Sequence, residues 1–311
     1  MPRFDCLSFG SSAFDVLMSV DRPPRSDERI SAHSVTSGGG GPASTASTAM
    51  ARLGLTVGLV TAVGQDVFGD LMVSEFERFG VENSGIQRVT GSSTISSVLI
   101  ERETAHRSMV VYGGCINRID LDAIDFDRIR EARLVHLDGN NPMLALRAAR
   151  RARELGVTTS LDGGNMSAEA LAPVLPFIDI YIPDEQSMRR QLRADISIED
   201  ACRAYHVEGP TLVCITRAEH GSVAFDGERF WTQPVYSGVA VVDTTGAGDN
   251  FHGAFLAARL EGQDLDHALR FANTYAALCC RGVGGRATAP DMAETLEHVA
   301  RFPGLAPDTT S

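Results

Sequence analysis

The sequence predicts an α/β fold, a central, mainly parallel sheet flanked by helices with a small β-sheet lid. Two observations carry this. Short apolar runs alternate with helical patterns along most of the chain, which puts helices on both faces of a parallel sheet. Two stretches, 29–37 and 97–111, break the alternation; they are mostly polar with β-branched residues interspersed, the character of a small side sheet. At 311 residues the chain exceeds the usual ~100–200 residues per domain, but α/β folds run longer as one unit. A single domain over 1–311 is expected, with lid strands from about 14–37 and 94–115.

The elements follow in order. Phe4–Phe9 is an apolar run closed by Gly10 and two serines, as suits a buried strand leading into a functional loop, and Asp15 lies just past it. Small residues dominate 42–53, so a helix there can pack very close to its neighbours. Strands are expected over 55–63, 134–137, 157–161, 178–182 and 211–215, with helices over Pro142–Leu155 and 198–205. Residues 222–231 form a hairpin pattern turning at Asp226-Gly227. The last third is helical, over Ala247–Leu260, 265–280 and 291–300, before a tail at 305–311 that has the character of disorder. In such a fold ligands bind outside the carboxyl ends of the strands.

Composition narrows the function. Hydrophobic residues at 43% and charged residues at 22% support a sizeable core. A net charge of −12 and a pI near 5.1 disfavour nucleic acid and anionic membrane partners. A small anion such as ATP is not excluded, because a local nest of backbone N–H groups decides that interaction. Six cysteines without a C-x-x-C spacing point to a reduced, cytoplasmic protein, with Cys279-Cys280 in core packing. No apolar run reaches the length of a membrane helix, and the first residues lack the pattern of a signal peptide. His136, His206 and His252 have no metal-ligand spacing and read as structural, as does Trp231.

The strongest chemical signal is Asp243-Thr244-Thr245-Gly246-Ala247-Gly248-Asp249 at the start of a helix. Gly246, Ala247 and Gly248 let successive N–H groups turn inward where the helix dipole also favours negative charge, making an anion hole. An aspartate directly after that nest can take a proton from a hydroxyl while the nest holds a phosphoryl group. A plain helix start with glycine and aspartate as cap residues shares the same short pattern.

In full length this segment resembles the C-terminal signature of the PfkB, or ribokinase-like, carbohydrate kinases. A second match, Gly38-Gly39-Gly40-Gly41-Pro42-Ala43-Ser44-Thr45-Ala46 through Ala51-Arg52-Leu53-Gly54, looks like the family's N-terminal glycine motif, and the resemblance spans nearly the whole chain. It implies a ribokinase-like fold and an ATP-dependent sugar kinase. Asp249 would be the base and Gly246–Gly248 the anion hole. Asp15, Gly40, Gly41 and Thr45 would bind sugar, although many members carry asparagine in place of Thr45.

Thr216-Arg217-Ala218-Glu219-His220-Gly221 resembles the nucleotide loop, with Thr216 and Gly221 in place and Ala218 where a glycine is usual. Asn273 and Ala277 match the adenine side. The family's N-x-x-E motif, which orders Mg2+, is replaced here by Asp184 and Ser187, so that Asp184 or Glu185 is the substitute. A K+ site near Asp243, Thr245 and Gly284-Gly285, and a homodimer through the lid, are further family features.

The combination of motifs, including Gly284-Gly285-Arg286-Ala287, looks most similar to the sulfofructose kinase branch. A sulfonated or phosphorylated sugar needs a cation in its pocket. The loop 137–141 instead offers Asn140 and Asn141, which favours transfer of the ATP γ-phosphoryl to a hydroxyl of a neutral ketose or related sugar; Arg107 on the lid keeps an anionic substrate open. The alternatives are a nucleoside kinase, with Tyr112 as stacking residue, and a non-catalytic sugar-binding or regulatory protein.

Overall fold

A computed structural model describes residues 2–302 of the chain; the expected disordered tail lies outside them. Among the described residues thirteen strands and nine α-helices alternate. In chain order they are β1 Phe4–Phe9, β2 Ala13–Val20, β3 Ser34–Gly40, α1 Pro42–Arg52, β4 Val57–Gly64, α2 Val67–Phe79, β5 Glu82–Val89, β6 Ile95–Glu101 and β7 Arg107–Tyr112. Then come β8 Ala132–Asp138, α3 Pro142–Leu155, β9 Thr158–Asp162, α4 Ala168–Leu171, β10 Ile180–Tyr181, α5 Glu185–Leu192, α6 Ile198–Val207 and β11 Leu212–Thr216. The chain closes with β12 Ser222–Phe225, β13 Phe230–Gln233, α7 Ala247–Leu260, α8 Leu265–Cys279 and α9 Met292–Arg301.

Nine strands form one sheet in the order β13-β12-β11-β10-β9-β8-β1-β4-β5, parallel except for the β12 and β13 hairpin. Strands β1, β4 and β8 are buried nearly throughout because both faces of the sheet are covered. One face packs on α3 and α6 through residues such as Leu144, Ala148 and Tyr205. The other packs on α1, α7 and α8 through Met50, Phe255 and Tyr275.

A separate four-stranded sheet has the order β3-β2-β6-β7. Here the structure corrects the expected pairing. Segment 29–37 does not lie against 97–111; β2 runs between them, antiparallel to β3 and parallel to β6. Asp15, just past β1, is within a strand of this side sheet.

Local chemistry sets the helix ends. Asn141 caps α3 by accepting from Leu144 N at 3.1 Å, Pro142 fills its first turn, and Gly156 closes it at φ 70°. The small residues of 42–53 do bring α1 against α7. A Cβ on Gly253 would stand 2.6 Å from the Ala46 carbonyl oxygen and 2.7 Å from Ala49 Cβ. Gly253→Val should therefore destabilise the fold by about 1–3 kcal/mol through overpacking. Urea denaturation measures this, and unchanged stability would mean that the two helices can separate freely.

Candidate active site

The ends of the central strands carry acids. Asp138 ends β8 and Asp162 ends β9, paired side by side in the parallel register. Asp184 follows β10 and bridges to Thr216 at the end of β11. Opposite them begins α7. Its N-cap is Gly246 in the left-handed region at φ 71°, with no side-chain cap, so the first turn is free to face an anion. Asp249 stands in that turn, half-buried.

The acids differ in how they are held. Asp138 is buried and accepts from Ser11 N and Ser11 Oγ, both at 2.7 Å, and from Ala43 N at 3.1 Å. It thereby joins the loop after β1 to the start of α1. A Cβ on Gly10 would meet Asp138 Cγ at 2.5 Å, which is why glycine follows β1. Asp249 is less compensated. Burial, with the charges of Asp162 and Asp138, pushes its carboxyl up to about 7, against the pull of Arg107 and Arg286. Asp162 is likewise raised to about 7 by burial and by Asp138 and Asp184, although it accepts from Gly164 N at 2.9 Å.

The residues expected to bind sugar come from several elements. Asp15 on β2 is buried, and its carboxyl is pushed up mainly by that burial. A Cβ on Gly40 would meet Asp15 Oδ2 at 2.1 Å, so a larger residue here would displace the Asp15 carboxylate. Gly41, at φ 94°, starts α1, and Thr45 is buried one turn in. Asn140 donates to Ser11 Oγ at 2.8 Å and accepts from Asn165 at 3.0 Å. Asn141 is held in its helix cap. Arg107, exposed on β7, reaches across to donate to Thr244 Oγ1 at 2.8 Å.

Other expected residues are engaged within the protein. Asp243 Oδ1 accepts from Thr245 N and Oγ1, and its Oδ2 accepts from Gly284 N at 2.8 Å, which fixes the loop before α7. Glu185 is paired with Arg189 at 2.7 Å and Arg217 at 3.2 Å, whereas Asp184 caps α5 and accepts from Ser187. Asn273 donates to Ser222 Oγ at 2.9 Å, and Ala277 packs with Tyr236 and Leu278. Gly221 is needed where it stands: at φ 78°, its added Cβ would lie 2.1 Å from the Gln233 carbonyl oxygen. Thr216 ends β11 beside it. Ala218 adopts φ 47°, the left-handed backbone that the usual glycine takes without strain.

Three site residues escaped sequence reasoning. Asp138 and Asp162 each follow a leucine at a strand end, Leu137-Asp138 and Leu161-Asp162, and that shared ending was the available signal. Arg286 is buried against the glycine segment, where its guanidinium donates to the Gly40 carbonyl oxygen. His136, His206 and His252 form no metal-binding group among the described residues.

A strand-end acidic site facing an uncapped helix start across a parallel sheet defines the class, an ATP-dependent carbohydrate kinase. The chain belongs to the pfkB family of carbohydrate kinases, whose profile matches residues 3–292. It is 31% identical over 301 residues to an ATP-dependent ribose-1-phosphate kinase of Halopiger xanaduensis, covering 95% of this chain and 97% of that one. A nucleoside kinase of Methanothermobacter thermautotrophicus is 26% identical, covering 97% and 98%. The structure of Arabidopsis thaliana ribokinase with ribose and ATP superposes at a TM-score of 0.83, with 27% identity and coverage of 95% and 98%.

A base must be ionised to act, so a role as base for Asp249, with its carboxyl raised to about 7, would make kcat/KM climb as pH rises through that value. Asp162→Asn removes the largest neighbouring negative charge and should move this rise to lower pH. A profile unchanged in the variant would contradict the electrostatic account.

Proposed function

We propose that this protein transfers the γ-phosphoryl group of ATP to a hydroxyl of a small sugar, a ketose or a related pentose, with Asp249 as the base. The single observation that carries the reading is Asp249 in the first turn of an uncapped helix, its carboxyl raised to about 7 and facing the strand ends. Asp15, Gly40 and Gly41 orient the sugar, with Asn140 at the neighbouring strand end. Asp249 takes the proton as the hydroxyl attacks, and the amides of Gly246–Gly248 stabilise the charge on the transferred group. Thr216 and Gly221 shape the nucleotide side.

The site suits Mg2+ bound through water. No group of three ligating acids or histidines occurs among the described residues, so a direct protein cage is absent there. The hard oxygens of Asp162 and Asp184 do converge, since a Cβ on Gly164 would stand 3.1 Å from Asp162 Oδ1 and 3.4 Å from Asp184 Oδ2. They would hold the hydrated ion, and Mg2+ supplies neutralisation of phosphate charge when bound. Glu185, tied to two arginines, is the weaker candidate. A K+ ion beside Asp243 and Thr245 belongs to the same proposal, supported by the tight loop that joins Asp243 to Gly284.

A second reading, an anionic sugar, is favoured by one contact. Arg107 reaches the loop before the anion hole, where it can meet a phosphate or sulfonate on the substrate. The ribose-1-phosphate kinase of Halopiger xanaduensis is named for such a substrate. The homodimer fits the side sheet, whose edge strand β7 is exposed throughout and presents Met109, Val110, Val111 and Tyr112. A cytoplasmic setting fits six cysteines that all carry free thiols.

Asp249→Asn should lower turnover by ~100-fold or more while ATP affinity is kept. A coupled assay with ribose, ribose 1-phosphate, fructose and nucleosides measures it, and wild-type turnover in the variant would remove Asp249 as base. Val110→Asp should convert a dimer to a monomer in light scattering; an unchanged mass would place any dimer contact elsewhere.

A further inference from the structure

Arg286 is a charged side chain only 4% exposed, in the loop between α8 and α9. Its guanidinium binds residues more than two hundred positions away in sequence. Nε and Nη2 donate to Thr45 Oγ1 at 3.2 Å, and Nη2 donates to Gly40 O at 3.0 Å and Ser44 Oγ at 2.7 Å. Nη1 faces Glu75 Oε2 at 3.4 Å, and that oxygen also accepts from Gly39 N at 2.6 Å. A Cβ on Gly39 would fall 2.2 Å from both Arg286 Nη1 and Glu75 Oε2, so the segment is shaped around this ion pair.

The other side of the same loop holds the phosphoryl side. Asn250, the residue after Asp249, donates to the carbonyl oxygens of Gly285 and Gly246. Gly246 itself passes Gly285 so closely that an added Cβ would stand 3.1 Å from Gly285 Cα. One short loop thus touches the glycine segment through Arg286 and the start of α7 through Gly285.

We infer that Arg286, paired with Glu75, is a positioning residue that sets the sugar-binding segment Gly39–Thr45 against the anion hole, fixing where the acceptor hydroxyl sits relative to the transferred group. The inference rests on the sugar-kinase reading above. A misplacement of about 1 Å at such a site can cost about 100-fold in rate. The fork of arginine matters: it serves Gly40, Ser44, Thr45 and Glu75 at once, whereas a lysine ammonium is a single point charge. Thr45 follows from the same contact. Its hydroxyl oxygen accepts from both Nε and Nη2 of Arg286, so the arginine fixes the orientation of this side chain.

The test compares Arg286→Lys with Arg286→Ala, at a temperature where both are folded by circular dichroism. With the sugar that the wild type phosphorylates, Arg286→Lys should raise the sugar KM at least about 10-fold and lower kcat, with the ATP KM within about twofold of wild type. Arg286 also lines a cleft of about 380 Å³, so guanidinium ion has a route to the space left in Arg286→Ala and should restore part of the sugar affinity, whereas K+ should not. Kinetic constants within about twofold of wild type in folded Arg286→Lys, or an equal rise of both KM values, would overturn the inference. Hydrogen exchange in the ligand-free proteins decides it without turnover: faster exchange at 38–48, with 212–221 unchanged, supports the clamp, and unchanged exchange at both sinks it. A wild type without sugar turnover removes the sugar-kinase reading, and hydrogen exchange still shows whether Arg286 holds the segment in place.

Discussion

Four carboxylates, those of Asp138, Asp162, Asp184 and Asp249, crowd the strand ends, and the burial of Asp162 and Asp249 beside like charges is the constraint around which the site is built. Asp138 accepts from Ser11 and Ala43, and Asp184 from Ser187. The other two, Asp162 and Asp249, are left with carboxyls raised to about 7. Such a site favours a hydrated cation beside it, and carboxyls raised to about 7 are partly protonated at neutral pH. The positive counterparts are the first turn of α7 and the guanidinium groups of Arg107 and Arg286.

Close backbone approach makes this geometry possible. Gly10, Gly39 and Gly40 each leave no room for a Cβ, because Asp138, the Glu75–Arg286 pair and Asp15 fill those spaces. The glycine segment at 39–41 is therefore closely packed against its neighbours. Burying a guanidinium against that segment is costly unless its donors are used, and Arg286 uses them on Gly40, Ser44, Thr45 and Glu75.

Much of this architecture was legible in the sequence. Buried parallel strands announce themselves as apolar runs, and Ala247–Leu260 begins and ends where its sequence pattern does. Strand β5 was not legible: its residues Glu82–Val89 are mostly half-exposed at a sheet edge and lack an apolar run. Strand β2 falls at the start of the expected lid segment 14–37, but its place between β3 and β6 had no local sign in the sequence. The anion hole depends on adjacent residues and could be read locally. Arg286 could not, since a lone arginine after two glycines carries no local sign of partners on α1, α2 and β3. The same holds for Asn273, whose partner Ser222 lies on another element.

The central claim is phosphoryl transfer to a carbohydrate hydroxyl. The most direct measurement follows ATP, Mg2+ and the sugar panel by 31P NMR in the presence of the wild-type protein. The account predicts that the γ-phosphate signal of ATP is replaced, one for one, by a phosphomonoester coupled to sugar protons. Inorganic phosphate alone, or an ATP spectrum that never changes across the panel, would contradict it.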